Sequence, residues 1–301
     1  MKRIVVAGGS GFIGEPLVRC LLARGDDVAV LTRNPSNVDA GRAVAWNPPS
    51  QGNWSDEVAN ADVVINLAGE NVGGGRWTAE RKKRIMESRV AATSALVEAM
   101  SHKPEHARTF ISASATGFYG DRGDESLDEH SAAGSGFLAE VTKRWEDLAR
   151  GAEVFARVVI LRFGVVLAED GGALAKLLLP FRLGAGGPMG SGQQWMSWID
   201  RDDILRIIEW SIDREATRGT YNATAPAPVR NREFGRSLGR VLHRPAFMPT
   251  PAFALRLALG SEMANEMLLG GQRVFPKRAQ DEGFEFAYPE LELALKHALS
   301  G

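Results

Sequence analysis

The chain has 301 residues, of which 36 are Lys or Arg and 37 are Asp or Glu, and its formal net charge is -1. This balance gives no bulk electrostatic reason to expect nucleic acid or an anionic membrane as a partner, and it favours a small-molecule ligand. The single cysteine, Cys20, excludes an internal disulfide and a cysteine metal cluster. The apolar run near the start is too short for a signal peptide and no run is long enough to span a bilayer, so we expect a cytoplasmic protein.

An apolar strand near the start of the chain runs directly into a glycine-rich turn. The run from Lys2 to Ala7 leads to Gly8, Gly11 and Gly14, after which a helical pattern begins. This spacing predicts a dinucleotide-binding turn: Gly8 makes the tight turn, Gly11 lets the backbone approach a pyrophosphate, and Gly14 lets helix and strand pack closely. The helix N-terminus offers its unpaired N–H groups to the phosphates. The predicted cofactor site therefore contains these glycines together with Ser10, Phe12 and Ile13.

The end of the second predicted strand, residues 28–32, indicates which dinucleotide to expect. An NAD site usually places an acidic residue there to bind the ribose 2′-hydroxyl. Here the strand ends at Thr32 and Arg33 follows, without a carboxylate. A guanidinium matches a 2′-phosphate in charge and geometry, so the sequence predicts NADP(H), with contacts from Thr32 and Arg33. The alternative is that Arg33 is a solvated charge at the strand end.

Strand and helix patterns continue to alternate along the first half of the chain. Further apolar strands are predicted at 62–67, 109–112 and 158–161, and helices near 78–100 and 137–150. Strands that alternate with helices form right-handed crossovers in a parallel sheet. We therefore expect an α/β fold with a Rossmann-like, doubly wound parallel sheet.

The character of the sequence changes after Gly164, where irregular segments rich in glycine and proline begin. Such segments indicate a smaller mixed lobe that closes over a ligand. We assign residues 1–165 to an NADP-binding Rossmann domain, with 195–225 returning to it. The remaining segments, 166–194 and 226–301, form the predicted substrate lobe at the C-terminal end.

Several segments together carry a resemblance that is more specific than the glycine turn. They are the turn itself, Asn66-Leu67-Ala68-Gly69-Glu70-Asn71, the stretch 112–120, the stretch 161–167, and a C-terminal region from Pro249 to Leu295. The chain resembles the short-chain dehydrogenase/reductase superfamily in its extended form. It is most similar to the atypical "epimerase family" branch of the NAD(P)-dependent epimerase/dehydratase type, which ends in a small family-specific domain.

The resemblance implies roles for residues that follow the predicted strands. Leu67, Ala68 and Gly69 would lie along the adenosine and ribose side of the cofactor, and Val165 would pass the nicotinamide. Arg89 occupies a place where typical members carry a helix asparagine. This branch is similar in using arginine there, and Arg89 would brace either the cofactor or the catalytic loop.

A run of basic residues lies upstream of Arg89, from Arg81 to Arg84. Such a run is typical of a solvated helix face. Arg84 is also retained as a candidate cofactor contact.

The resemblance also indicates which catalytic groups are missing. In ordinary members a serine orients the substrate oxygen, and a tyrosine transfers its proton with its pKa lowered by a lysine four residues later. The serine place is kept as Ser114, with Ser112 beside it at the cofactor. The tyrosine place falls on Leu138 and the lysine place on Thr142, and neither side chain can do that chemistry.

Two other residues are candidates for the missing acid or base. Tyr119 is the phenol nearest to Ser114, and the alternative for it is a ring packed at a turn. Glu70 comes just past the carboxyl edge of the sheet, where ligands bind in open α/β folds. The candidate catalytic residues are therefore Ser114, Tyr119 and Glu70.

The substrate side contains Trp195 and Trp198, followed by acidic residues. Trp195 is a candidate aromatic platform for the substrate, whereas Asp202 and Asp203 are typical of a helix N-cap region. The five histidines lack a zinc-binding spacing, so we predict no metal.

These observations favour an NADP(H)-binding oxidoreductase or nucleotide-sugar epimerase-like enzyme. Its substrate is an unassigned small molecule, and its active site lacks the usual Tyr/Lys pair. The alternative is a catalytically inactive binding module that senses NADPH. No nucleic acid or membrane partner is expected under either hypothesis.

Overall fold

The computed structural model describes residues 1–50, 52–106 and 108–300. Its strands are β1 (Arg3–Ala7), β2 (Asp27–Thr32), β3 (Arg42–Ala45), β4 (Val63–Asn66), β5 (Thr109–Ala115), β6 (Ser126–Leu127), β7 (Arg157–Phe163), β8 (Val165–Leu167), β9 (Trp195–Met196), β10 (Trp198–Asp200), β11 (Gly219–Ala223), β12 (Val229–Arg230) and β13 (Arg273–Val274).

The helices are α1 (Gly14–Ala23), α2 (Trp54–Ala59), α3 (Ala79–Ser101), α4 (Phe137–Arg150), α5 (Gly172–Arg182), α6 (Arg201–Asp213), α7 (Asn231–Val241), α8 (Ala252–Leu259), α9 (Ser261–Ala264), α10 (Lys277–Asp281) and α11 (Leu291–Ala298). Short 3₁₀ turns cover Pro35–Asn37, Thr116–Tyr119 and Gly151–Val154, and a π-helical turn covers Asn265–Leu269. In the part of the chain that the structure describes, no helix is long and apolar enough to cross a membrane.

A seven-stranded parallel sheet in the order β11-β7-β5-β4-β1-β2-β3 forms the centre of the molecule. Side chains alternate between its two faces, so Ile4 and Val6 pack under α1 and α6, whereas Val5 and Ala7 pack under α2 and α3. Burial on both faces explains why the strands are continuously apolar. The predicted Rossmann-like, doubly wound fold is confirmed.

The sequence located the main elements closely but missed two strands of the sheet. The helix predicted at 137–150 is α4, and the one predicted near 78–100 is α3. The strand β3 was missed because it is an edge strand whose four residues are exposed or half-buried, so it shows no apolar run. The other missed strand, β11, completes the opposite edge of the sheet beside β7.

Carboxylates bind backbone N–H groups where the C-terminal region packs against the sheet domain. Asp203, which is fully buried, accepts hydrogen bonds from the N–H groups of Ala287 (2.7 Å) and Tyr288 (3.0 Å). Glu129 accepts from the N–H groups of Asn222 (2.9 Å) and Arg278 (3.2 Å). Burial raises the pKa of both carboxyls, and the backbone donors oppose that rise.

The glycine at the start of α1 allows a test of the predicted packing. A Cβ atom on Gly14 would lie 2.1 Å from the carbonyl oxygen of Gly8, so the helix must move away from the turn. We expect Gly14→Ala to lower the free energy of unfolding by about 1–3 kcal/mol, measured by denaturant titration. Gly151→Ala is the control, because its Cβ would meet Val97 at 3.8 Å and its φ is -55°. Equal stability of the two variants would contradict this packing.

Candidate cofactor and active site

The glycine turn between β1 and α1 has an open side at the carboxyl edge of the sheet. Gly8 has a φ of +82°, and a Cβ there would lie 2.9 Å from the carbonyl carbon of Leu67. A Cβ on Gly11 would instead approach only the carbonyl oxygen of Gly8, at 3.2 Å, and Gly11 and Ser10 are both exposed. The turn therefore fits a phosphate group at the N-terminus of α1.

Phe12 and Ile13 contribute to this turn through packing. A Cβ on Gly171 would lie 2.3 Å from Cδ2 of Phe12, so the ring packs closely against the backbone at the start of α5. Ile13 packs against the core under α1. Both side chains fix the turn and leave its backbone facing the predicted phosphate position.

Arg33 lies just after β2, and its guanidinium is exposed. Among the residues that the structure describes, no carboxylate forms an ion pair with it, so its charge is available to a ligand. The hydroxyl of Thr32 accepts a hydrogen bond from the N–H of Asn34 at 3.2 Å and fixes the bend in the chain that follows. This arrangement fits a 2′-phosphate.

The loop after β4 is supported from below by Arg89. A Cβ on Gly69 would lie 3.0 Å from Cζ of Arg89, and Nη1 of Arg89 donates to the carbonyl oxygens of Glu70 (3.0 Å) and Ile85 (3.1 Å). Desolvation lowers the pKa of Arg89 to about 10. These contacts support the interpretation that Arg89 braces the loop beside Leu67, Ala68 and Gly69.

Arg84 lies apart from this loop, on an exposed side of α3. Its Nη1 atom is 3.0 Å from Oε1 of Glu80, one turn earlier on the same helix. This pair supports the interpretation of a solvated helix face for Arg84. Arg81 of the same run differs, because its side chain is 13% exposed and its Nη2 donates to the carbonyl oxygen of Asn71 at 2.7 Å.

Ser114 is part of a buried network beneath the candidate site. Its hydroxyl donates to Oε1 of Glu146 at 2.7 Å, and Arg162 binds both oxygens of the same carboxylate, at 2.7 and 2.8 Å. The proton of Ser114 is therefore engaged inside the protein, and the hydroxyl can only accept a hydrogen bond from a ligand. Ser112 is also buried, beside Asn66 of β4 in the sheet register.

Tyr119 belongs to the same buried network. Its ring is fully buried, and its hydroxyl lies 2.7 Å from Oδ1 of Asn222 and 2.9 Å from the carbonyl oxygen of Asp128. It also accepts a hydrogen bond from Nη1 of Arg162 at 2.8 Å. Burial raises its pKa to about 12. These contacts support the alternative of a packed ring over a catalytic phenol.

The places of the missing tyrosine and lysine lie on the first turns of α4. The side chain of Leu138 lies against Gly117, and the hydroxyl of Thr142 donates to the carbonyl oxygen of Leu138 at 2.8 Å. The sequence did not predict the neighbour of these residues, Glu266. Its carboxylate accepts hydrogen bonds from the N–H groups of Phe137 (2.8 Å) and Leu138 (2.9 Å). Because Glu266 lies far along the chain in a π-helical turn, no local pattern indicates this contact.

Glu70 is a half-exposed carboxylate at the carboxyl edge of the sheet. Its side chain is 33% exposed, and Oε1 lies 3.5 Å from Nη1 of Arg81. The N–H of Glu70 donates to the hydroxyl of Ser88 at 3.0 Å, and Arg89 holds its carbonyl oxygen. The backbone is thus fixed, while the carboxylate stays open to solvent.

Trp195 is already packed by charged groups of its own chain. Its indole N–H donates to Oδ1 of Asp124 at 2.8 Å, and the guanidinium carbons of Arg230 and Arg273 lie 4.1 and 4.7 Å from its ring centroid. The ring is therefore less available to a substrate than the sequence analysis expected.

Asp202 and Asp203 lie in the first turn of α6, in the helix N-cap region that the sequence indicates. The N-cap is Asp200, whose Oδ1 accepts a hydrogen bond from the N–H of Asp202 at 2.8 Å. His297 lies between the two carboxylates, with Nδ1 at 3.0 Å from Asp200 and Nε2 at 3.3 Å from Asp202. Each ring nitrogen faces its own carboxylate. The absence of a metal stays a prediction.

Comparison with known proteins places the chain among proteins of the same architecture. Residues 4–224 match the NAD dependent epimerase/dehydratase family, and residues 250–298 match a domain of unknown function, DUF1731. These two matches confirm the predicted branch and its C-terminal domain.

The relatives match over nearly the whole chain. An Arabidopsis thaliana protein named "Epimerase family protein SDR39U1 homolog, chloroplastic" is 40% identical over 97% of this chain and 85% of its own length. The crystal structure of human epimerase family protein SDR39U1, solved with NADPH, is 34% identical, with a TM-score of 0.90 over 99% of each chain. A nucleoside-diphosphate sugar epimerase from Corynebacterium glutamicum is 34% identical, with a TM-score of 0.79 over 99% of this chain and 58% of that one. The chain therefore belongs to the NAD dependent epimerase/dehydratase family.

Proposed function

We propose that the chain binds NADP(H) and acts on a small-molecule substrate as an oxidoreductase or epimerase-like enzyme with a non-standard active site. The observation that carries this proposal is the exposed Arg33 at the end of β2, where an NAD site would have a carboxylate. The NADPH in the solved human relative supports the same dinucleotide.

The open glycine turn at Gly8–Gly14 would hold the pyrophosphate, and Arg33 the 2′-phosphate. The loop after β4, braced by Arg89, would lie along the ribose. When bound, such a cofactor supplies or accepts a hydride at its nicotinamide ring.

The proton chemistry has to use groups other than a tyrosine and lysine pair, because Leu138 and Thr142 occupy those places. We propose Glu70 as the acid or base, since its carboxylate is half-exposed on a fixed backbone. Ser114 would orient the substrate by accepting a hydrogen bond from a substrate hydroxyl, because its own proton is bound by Glu146. Tyr119 would instead stabilise the buried hydrogen-bond network through Arg162.

The cytoplasmic location stays a prediction, and one relative is named chloroplastic. A small-molecule substrate likewise stays a prediction.

The first test concerns the choice of cofactor. Arg33→Asp removes a charged hydrogen-bond donor and adds a carboxylate for the ribose hydroxyl, so we expect NADPH binding to weaken about tenfold to a hundredfold and NADH binding to strengthen. Calorimetric titration measures both affinities. Arg84→Asp is the matched control, because Arg84 pairs on the exposed side of α3. Unchanged NADPH affinity in the Arg33 variant would refute the assignment.

The second test separates the three catalytic candidates. With turnover found by screening carbonyl compounds and nucleotide sugars with NADPH, we expect Glu70→Gln to lower kcat by a factor of about 100 or more. Ser114→Ala should chiefly raise KM, because it removes an acceptor for the substrate. Full activity of Glu70→Gln would exclude Glu70 as the acid or base.

The third test concerns Tyr119. We expect Tyr119→Phe to retain turnover but to lower the free energy of unfolding by about 1–3 kcal/mol, since Oδ1 of Asn222 and Nη1 of Arg162 each lose the hydroxyl that they bind. Thermal unfolding and the pH profile of kcat measure these effects. A stable variant without turnover would show instead that the phenol takes part in the reaction.

The second candidate function is an NADPH-sensing binding module without turnover. One specific observation favours it. The places of the usual tyrosine and lysine on α4 hold the apolar Leu138 and Thr142, whose hydroxyl donates to the carbonyl oxygen of Leu138. This function predicts tight NADPH binding without hydride exchange. Exchange of isotopic label at C4 of the nicotinamide with any substrate would rule it out.

A further inference from the structure

Six large apolar side chains of the small lobe are turned to solvent. Five of them are more than two-thirds exposed and Met248 is half-exposed: Leu179 68%, Leu183 75%, Phe247 76%, Met248 51%, Phe253 71% and Leu257 76%. The helix α8, which carries Phe253 and Leu257, has no buried residue at all in its eight positions. A helix of this composition normally buries one face, so its solvent-facing side chains need an explanation.

These side chains lie on or beside two chain segments that are bonded to each other. The N–H of Met248 donates to the carbonyl oxygen of Gly186 at 3.1 Å, and the N–H of Thr250 donates to that of Pro188 at 2.9 Å. Nε of Arg244 donates to the carbonyl oxygen of Arg182 at 2.9 Å. The two segments therefore form one ribbon, which we call the apolar ribbon (residues 182–190 and 244–252), with α5 leading into it and α8 leading out.

The charge along this part of the chain is of one sign. The segments 171–199 and 234–261 contain no Asp or Glu, although the whole chain has 37 of them. They contain six permanent cations, Lys176, Arg182, Arg236, Arg240, Arg244 and Arg256. Glu169 and Glu292 from neighbouring segments pair with Arg182 and Arg240, which leaves a positive excess around the apolar ribbon.

Three of these cations lie in one concavity with the exposed Phe247. Arg236, Arg240, His243 and Arg244 line a shallow cavity of about 600 Å³ at the end of α7, together with Phe247. A cationic concavity beside an exposed aromatic ring combines the two features that bind peripheral proteins to lipid headgroups.

We propose that the apolar ribbon and α8 form a docking surface for an anionic phospholipid membrane. Phe247, Phe253 and Leu257 enter the headgroup region, while Arg236 and Arg244 contact the lipid phosphates. The near-zero net charge of the whole chain does not indicate this surface, because acidic residues in other parts of the chain balance its cations. The expectation of no membrane partner was based on that net charge and on the absence of a spanning segment, and neither of these tests a local surface.

The charge also distinguishes a membrane from a second copy of the chain. A symmetric contact through this surface would bring two sets of the same cations together, and like charges across an interface are unfavourable. An anionic lipid surface offers phosphates to the cations and an apolar layer to the exposed apolar side chains.

The test is sedimentation of the full chain with vesicles of phosphatidylcholine, with and without phosphatidylglycerol. We expect binding to the anionic vesicles that weakens as salt is added. Arg236→Glu with Arg244→Glu should lower the partition at least about tenfold. Phe247→Ser with Phe253→Ser should abolish binding, and NADPH affinity should stay unchanged in both variants, because these residues lie outside the cofactor site.

A matched control uses another basic surface of the same chain. Arg218 and the 87% exposed Val154 line a concavity at the N-terminal end of β7. Arg218→Glu and Val154→Ser should leave vesicle binding intact. The proposal is overturned by equal loss in these controls or by equal binding to vesicles without phosphatidylglycerol. Self-association that depends on Phe253, without vesicle binding, would overturn it in favour of a contact between copies.

Discussion

The buried ion pair between Glu146 and Arg162 is the interaction on which the rest of the site depends. It joins α4 to β7, and through Ser114 and Tyr119 it also holds the end of β5 and the turn that follows. Both side chains are almost fully buried, so removal of one partner would leave an uncompensated charge at a cost of about 3–5 kcal/mol. The geometry of the carboxyl edge is therefore determined from beneath, by buried groups.

This network also explains how the site can differ from that of ordinary relatives while the fold stays the same. A serine whose hydroxyl donates to Glu146 is locked in one orientation, and burial that raises the pKa of the Tyr119 phenol to about 12 keeps it from ionising to act as a base. The two residues that resemble catalytic groups in sequence are thus structural in their hydrogen bonding. The half-exposed carboxylate of Glu70 is the candidate that this arrangement leaves with access to a ligand.

Local patterns in the sequence predicted what depends on local forces. The glycine spacing, the alternation of apolar strands with helices and the bounds of α4 were all readable, because each follows from backbone geometry or from burial of a continuous run. The strand β3 was not, because an exposed edge strand has no apolar signature. The roles of Ser114, Trp195 and Asp203 could not be assigned either, since each depends on a partner distant in the chain. Of these, Asp203 lies near the helix cap as expected, and it also binds the backbone of residues 287–288.

The carboxylate of Glu266 has a consequence for how the two parts of the chain can exist. It occupies the N-terminus of α4 so closely that a side chain at Gly136, which has a φ of +107°, would collide with it at 2.9 Å. The first turn of that helix thus obtains its cap from the C-terminal domain of unknown function. Without the C-terminal domain α4 loses this cap, so the two regions should be inherited together, and the domain is better regarded as part of the structure that holds α4 than as an independent module.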